Sequence, residues 1–210
     1  AGHARRARAA CTGRTRGLPR VTPRPAITPG RPDADPRLVR QALRHVPTAV
    51  TVVCTLDGRV PVGHTIGSFV SASLHPPLVG YFAMRSSTTL GVVRRTGAFS
   101  VNVLGEHQVE LARVFAHRSG EPFDGVRWER GTHGRPHLVG AVAVLDCDVD
   151  QVLAIGDHEL VIGRVVAVTV PTPDPDPLLF AGGRFRALSR STPVQLPGPA
   201  ATPTSWGRAG

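Results

Sequence analysis

Lysine is missing altogether from this chain of 210 residues, and all 25 of its basic side chains are Arg. With 23 Gly and 20 Pro, that usage fits a GC-rich genome at least as well as selection for phosphate contacts. Methionine occurs once, at Met84, so the first residue is not expected to be a translational start. The three Cys (Cys11, Cys54 and Cys147) form an odd set without CxxC spacing, and a reducing cytoplasm is the expected setting. Cys54 and Cys147 fall inside apolar runs, where they are expected as small buried hydrophobes. No apolar stretch has the length of a signal-peptide core or of a bilayer span, so no membrane contact is expected. Missing motifs exclude further chemistries. Without GxGxxG after a strand, a nicotinamide nucleotide would not sit on a Rossmann unit, and neither a P-loop nor a GxSxG elbow is present. Nor do His, Cys and carboxylates cluster as metal ligands do. His133 and His137 are four apart, but Gly134 and Pro136 between them oppose a helical metal pair.

Charge is concentrated at one end. Residues 1–34 hold eight Arg and one acid (Asp33), a charge of +7, whereas residues 35–190 hold sixteen Arg and fourteen acids, a charge of +2. The sequence pI of 11.4 therefore belongs mostly to the arm, and a nucleic-acid partner, which needs a basic face on the folded domain, is not expected. Five Pro between Pro19 and Pro32 oppose an amphipathic helix, so residues 1–34 read as a disordered Arg/Pro-rich arm. Residues 35–190 read as one folded domain, and the Pro/Ala/Gly-rich residues 191–210 as a loose tail.

Within the domain, Asp35-Pro36 signals a helix start and Pro47 its end. Thr48 to Leu56 is a β-branched run that reads as a buried strand, turned by Asp57-Gly58 into the next. Helices are expected from about Thr88 to Arg95, stopped at Gly97, and from about Glu106 to Phe115, with a strand from Phe99 to Leu104 between them. Residues 116–137 read as the longest irregular segment, anchored by Phe123 and Trp128. Ala141 to Ile155 reads as a long alternating strand with Asp146, Asp148 and Asp150 on its solvent face. Gly156-Asp157 turns it into a partner from His158 to Val170, and short strands follow at Leu178 to Phe180 and Arg184 to Leu188. About seven strands in hairpin order imply a closed or half-closed antiparallel barrel.

The stretch from Pro61 to Arg85 is the chemically richest. Two short apolar runs flank a small-residue segment carrying Thr65, Ser68, Ser71 and Ser73, in which backbone N–H groups can approach a planar, acceptor-rich ligand. Next comes Arg85-Ser86-Ser87-Thr88-Thr89 at the start of a helix, where unpaired N–H groups and the dipole favour an anion. The order suits a ring system followed by a phosphate. A Ser/Thr-rich hairpin whose hydroxyls merely satisfy backbone is the competing reading. His158, just after the Gly156-Asp157 turn, is placed either to act over a barrel mouth as proton donor or stacking partner, or only to bond Asp157 as a turn residue.

These pieces resemble the flavin reductase family, the small components of two-component flavin-dependent monooxygenases. The resemblance lies in DPRLVRQALRHVPTAVTVV, PVGHTIGSFVSASLHPPLVGYF, MRSSTTL, GAFSVNVL, QVELARVFAHRSGEPFDGVRW, GDHELVIGRV and PLLFAGGRFRAL, seven segments in the family's order over about residues 35–190. It implies a mainly β, six-stranded antiparallel Greek-key split barrel with a few short helices, paired as a homodimer with flavin near the subunit interface. Thr65, Ile66, Gly67 and Ser68 would lie along the isoalloxazine and ribityl chain, with Ser71 and Ser73 continuing that contact. Arg85, Ser86, Ser87 and Thr88 would hold the phosphate. Asn102, His117, Arg118 and Phe123 match positions lining the flavin. Asp157 and His158 match the family's GDH signature, which places His158 beside the nicotinamide as the catalytic residue, and Phe185 matches an aromatic position near the same mouth. Departures are Gly67 where an Asn or Gln is common, His64 for an apolar residue, His75 for an acid, and Pro47 and Ala49 before the first strand. The implied activity is an NAD(P)H:flavin oxidoreductase that takes hydride from NADH or NADPH to FMN or FAD and supplies a partner monooxygenase. A non-catalytic flavin-binding protein and a split-barrel oxidase with its own bound FMN are the alternatives.

Overall fold

A computed structural model of the chain describes residues 33–116, 123–170 and 176–188. Residues 1–32 of the Arg-rich arm, the C-terminal tail, His117 and Arg118 lie outside these described residues. In chain order the elements are α1 (Pro36–Leu43), β1 (Thr48–Ala49), β2 (Thr51–Asp57), β3 (Val60–Ile66), β4 (Val70–Leu74), β5 (Pro77–Met84), α2 (Thr88–Thr96) and β6 (Ala98–Val103). A 3-10 turn at Glu106–Gln108 leads to α3 (Val109–Ala116), then β7 (Trp128–Arg130), β8 (Pro136–Leu138), β9 (Ala143–Ile155), β10 (His158–Thr169), β11 (Leu179–Ala181) and β12 (Arg184–Arg186). Among the described residues no helix is long and apolar enough to cross a membrane.

The main sheet runs β3-β2-β6-β9-β10-β5-β4, with antiparallel pairs throughout. Its two edges, β3 and β4, are consecutive in sequence and joined only by Gly67–Phe69. Laid flat, seven strands would hold those edges roughly 29 Å apart. A three-residue link reaches at most roughly 14 Å, so the sheet must curl until its edges approach. The result is an antiparallel split barrel. Its sheet has seven strands rather than six because the Gly67–Phe69 break divides one continuous stretch into β3 and β4.

The interior is filled by Val53, Ile66, Tyr81, Leu90, Val93, Phe99, Val101 and Val161. A second cluster, with Val50, Val52, Cys54, Leu104, Phe115, Leu138 and Leu178, packs on the other side of β2. Residues Thr51 to Thr55 are consequently buried on both faces, which is why β2 reads as an unbroken β-branched run rather than an alternating one. The expected single strand from Thr48 is two strands. Val50 leaves the ladder, its N–H bonded to Leu178 O at 3.0 Å, and β1 pairs with β11 while β2 pairs with β6.

Two further expectations need correction. The segment expected to be irregular up to residue 137 contains the β7–β8 hairpin. Asp146 is 2% exposed instead of facing solvent; His137 of β8 bonds it at 2.9 Å, and Arg135 pairs with Asp148 one step along β9. The hairpin covers that part of the β9 face. Cys54 and Cys147 are both buried free thiols, as expected.

Candidate functional site

The chain turns from β5 into α2 at Arg85 to Ser87, where Ser87 N donates to Met84 O at 2.9 Å. Ser87 is extended (φ −71, ψ 122) and caps α2, its Oγ accepting from Leu90 N at 3.3 Å. Gly97, in the left-handed region at φ 68, closes the other end by donating to Val93 O. Arg85, Ser86 and Thr88 are exposed around the first turn. A guanidinium, hydroxyls and the free N–H groups of a nine-residue helix form a donor set that suits an anion such as a phosphate.

Beside this turn lies the β9–β10 hairpin. Gly156 takes the left-handed conformation (φ 57) that the two-residue connection requires, and Arg85 N donates to Asp157 O at 3.4 Å across the gap. The Asp157 carboxylate bonds His158 Nδ1 at 2.6 Å. That hydrogen bond, then the His158 charge and more weakly Arg85, hold the Asp157 carboxyl below its usual range. Asp157 thereby fixes the ring orientation of His158 and leaves Nε2 as the nitrogen turned away from it. In the strand register His158 stands opposite Met84 on β5 and Ile155 on β9, so it shares the outer sheet face with both.

The third part is the β3–β4 link. Ser68 Oγ donates to Phe82 O at 3.1 Å and accepts from Phe82 N at 3.0 Å, extending the β4–β5 pairing past the end of β4. Phe82 in turn stands opposite Leu160. Ser68 and His158 therefore flank β5 from opposite sides, two residues apart in register, just before Arg85. Gly67 is exposed, and a Cβ built there would lie 3.1 Å from Thr48 Oγ1. A side chain at this position would press on the Thr48 hydroxyl, which would have to give by a few tenths of an ångström. Ser71 and Ser73 lie on β4 opposite Val79 and Leu78, with a register shift between them.

Other expected contacts are committed elsewhere. Asn102 is fully buried: its Oδ1 accepts from Leu138 N at 2.8 Å, and its Nδ2 faces Val52 O, Ser100 Oγ and Pro136 O at 3.2 to 3.4 Å. It anchors the β7–β8 hairpin. The Thr65 hydroxyl donates to Ala112 O on α3 at 2.9 Å, and Ile66 faces the barrel interior. Phe123 packs edge-on between Phe115 and Trp128, with ring centroids 4.9 and 5.9 Å away. Phe185 sits under the Arg113 guanidinium at 5.9 Å and against Phe180 at 5.4 Å, on the β11–β12 hairpin. Main-chain bonds and strand register thus gather Gly67, Ser68, Arg85 to Thr88, Asp157 and His158, while the side chains of Thr65, Asn102, Phe123 and Phe185 are engaged with α3, with β8, with Phe115 and Trp128, and with Arg113 and Phe180.

Sequence reasoning missed Phe82 and Met84, which are 37% and 39% exposed on the outer face of β5. The signal was the alternation of Phe82 and Met84 against buried Tyr81 and Ala83. It also missed a cleft under the first turn of α2, lined by His64, Ser87 and Thr89 over an apolar floor that includes Ile66, Tyr81 and Leu90.

Residues 43–189 match the family model described as "Flavin reductase like domain". The chain is 36% identical over 163 residues to a flavin-dependent monooxygenase reductase subunit, HsaB, from Rhodococcus jostii, covering 78% of this chain and 83% of that protein. It is 36% identical over 184 residues to an NADH:FMN oxidoreductase of Rhodococcus erythropolis, covering 86% and 93%. Among solved structures it superimposes on the NADH:FAD oxidoreductase SgcE6 of Streptomyces globisporus, in complex with NAD and FAD fragments. The TM-score is 0.71 at 35% identity, over 78% of this chain and all of the other.

Proposed function

The chain belongs to the flavin reductase family, and from that premise we propose that it is an NAD(P)H:flavin oxidoreductase that supplies reduced FMN or FAD to a partner monooxygenase. The observation that carries the reading is the hydrogen bond from Arg85 N to Asp157 O. It ties an anion-holding helix turn to a hairpin that presents an oriented imidazole.

Arg85, Ser86, Thr88 and the N–H groups of the first α2 turn hold the flavin phosphate. Gly67 and Ser68 border the ring system from the β3–β4 link, where a missing side chain and exposed backbone leave room for a flat ligand. A bound flavin supplies an acceptor at N5 for the hydride carried on nicotinamide C4. The protein's share is alignment of donor and acceptor, which alone is worth several orders of magnitude in rate. His158 flanks the donor ring, and Asp157 keeps its imidazole in one orientation. A site of hydroxyls, main-chain amides and one guanidinium suits a flavin that must depart after reduction.

The same outer face supports a homodimer. Val70, Phe82, Met84 and Ile155 are each 37–50% exposed there, adjoining Leu160 and Ile162 on β10 and close to His158. A second copy laid on this strip would cover it and close the site against water. A reducing cytoplasm fits the two buried free thiols. The test is oxidation of NADH and of NADPH with added FMN or FAD. Turnover well above the protein-free background is expected, and none above it would end the proposal.

A further inference from the structure

Glu159 follows His158 on β10 and turns to the opposite face of the strand, toward the barrel interior. Its cross-strand neighbours are Ala83 on β5 and Ala154 on β9, neither of which offers a polar side chain. The Glu159 side chain is only 10% exposed; Oε1 accepts from Arg94 Nη1 at 3.2 Å, and among the described residues Oε2 has no hydrogen-bond partner. An idle carboxylate oxygen inside a protein is unfavourable; replacing a buried ion pair by apolar residues of similar size is often neutral or stabilising, and Arg94, whose side chain is 56% exposed, regains water when Glu159 alone is replaced. Stability alone therefore gives no reason for a carboxylate at this position.

The placement of the pair gives one. Arg94 lies on α2, whose first turn carries Ser87 and adjoins Arg85 and Ser86. Glu159 is bonded through the chain to His158. On its other side α2 is tied to β2, through Arg95 Nη2 to Asp57 Oδ2 at 2.9 Å and the Thr96–Thr55 hydroxyl contact at 3.2 Å. The Arg94–Glu159 bridge thus spans from the anion-holding helix to the strand that begins with His158, along a line separate from the Arg85–Asp157 main-chain bond.

We propose that Arg94 and Glu159 are positioning residues, a bridge that sets the distance between the anion-holding turn of α2 and His158. The proposal rests on the reading above, in which the flavin phosphate sits at that turn and His158 flanks the hydride donor. The bridge does not touch either ligand. Its effect is on the rate of hydride transfer rather than on flavin affinity.

The experiment compares wild type with Glu159→Leu, Glu159→Gln, Arg94→Met and, as a control for the site itself, His158→Ala. Each full-length protein is loaded with FMN and mixed anaerobically with NADH, with FMN dissociation constant and melting temperature measured alongside. In Glu159→Leu the reduction rate is expected to fall about tenfold, with FMN affinity within about twofold of wild type and no loss of melting temperature. Glu159→Gln keeps an acceptor for Arg94 and is expected to restore most of the rate. Arg94→Met breaks the bridge from its exposed end, so it carries the test if the Leu variant fails to fold. Wild-type rates in the Leu and Met variants alongside a slow His158→Ala variant would overturn the bridge and leave the site reading intact. Wild-type rates in all of them would overturn both.

Discussion

Replacing Asn102 by Ala removes an amide that four groups use at once. Leu138 N loses its acceptor at 2.8 Å, and Val52 O, Ser100 Oγ and Pro136 O lose a shared donor. Every one of these contacts is buried, so water does not take over. Leaving the Leu138 N–H unpaired costs about 1–3 kcal/mol. The vacated amide volume adds about 1 kcal/mol, because a fully buried site relaxes only in part. The expected loss is therefore about 3 kcal/mol, which lowers the melting temperature by about 6–12 °C for a domain of this size. Thermal unfolding by circular dichroism reads that shift. Titration of flavin fluorescence on the folded variant at low temperature reads the binding, and FMN affinity should stay within about twofold, since the amide touches only protein. An unchanged melting temperature with FMN binding weakened tenfold or more would refute this reasoning and return Asn102 to the flavin site. Asn102→Asp sharpens the test. It keeps the acceptor for Leu138 N but turns a second oxygen toward three others, so it should be at least as destabilised at neutral pH.

Arg85→Met should weaken FMN about tenfold while leaving riboflavin, which lacks the phosphate, nearly unaffected; equal losses for the two ligands in parallel titrations would contradict the phosphate assignment. Gly163→Ala places a methyl group against the Phe99 ring and 3.0 Å from Cys147 Cβ, so it should cost about 1–3 kcal/mol in a urea melt, and no change would mean that this part of the core is loosely packed. Burial pushes the Cys147 thiol up to about 12 and raises that of Cys54 as well. Each contributes stability that is complete below the unfolded-chain value near 9.0 and is lost as pH rises toward the native value, because the unfolded chain sheds a proton that the native fold keeps. The unfolding free energy from urea melts should fall above about pH 9, by about 1.4 kcal/mol per pH unit for each thiol, and Cys147→Ala should remove one thiol's share of that slope; an identical slope in the variant would contradict the attribution.

Much of the fold could be read from local chemistry. Asp57-Gly58 and Gly156-Asp157 are turn signals that need no partner to be recognised, and Ser87 and Gly97 bracket α2 by backbone rules alone. The arrangement of a small-residue link, a cation with hydroxyls and a turn histidine was also visible, because those residue types suit few other tasks together. What stayed hidden depends on long-range neighbours. Nothing near Asp146 in the chain announces that His137 covers it, so its place in an alternating strand read as solvent-facing. Val50 sits in an unbroken β-branched run, and only its bond to Leu178 O divides that run into β1 and β2. Asn102 and Thr65 carried family expectations, and only the fold reveals that the Asn102 amide oxygen accepts from Leu138 N and that the Thr65 hydroxyl donates to Ala112 O. Nothing local to Glu159 signals its burial or its bridge to Arg94, which depend on α2 packing over β10.

Rapid anaerobic mixing of the flavin-loaded protein with NADH, followed in the visible flavin bands, tests the central claim most directly. The bands should bleach far faster than in a protein-free mixture, and His158→Ala should slow that bleaching by at least about tenfold. Bleaching no faster than free flavin, or a His158→Ala rate equal to wild type, would contradict a site in which the β9–β10 hairpin and the first turn of α2 align donor and acceptor.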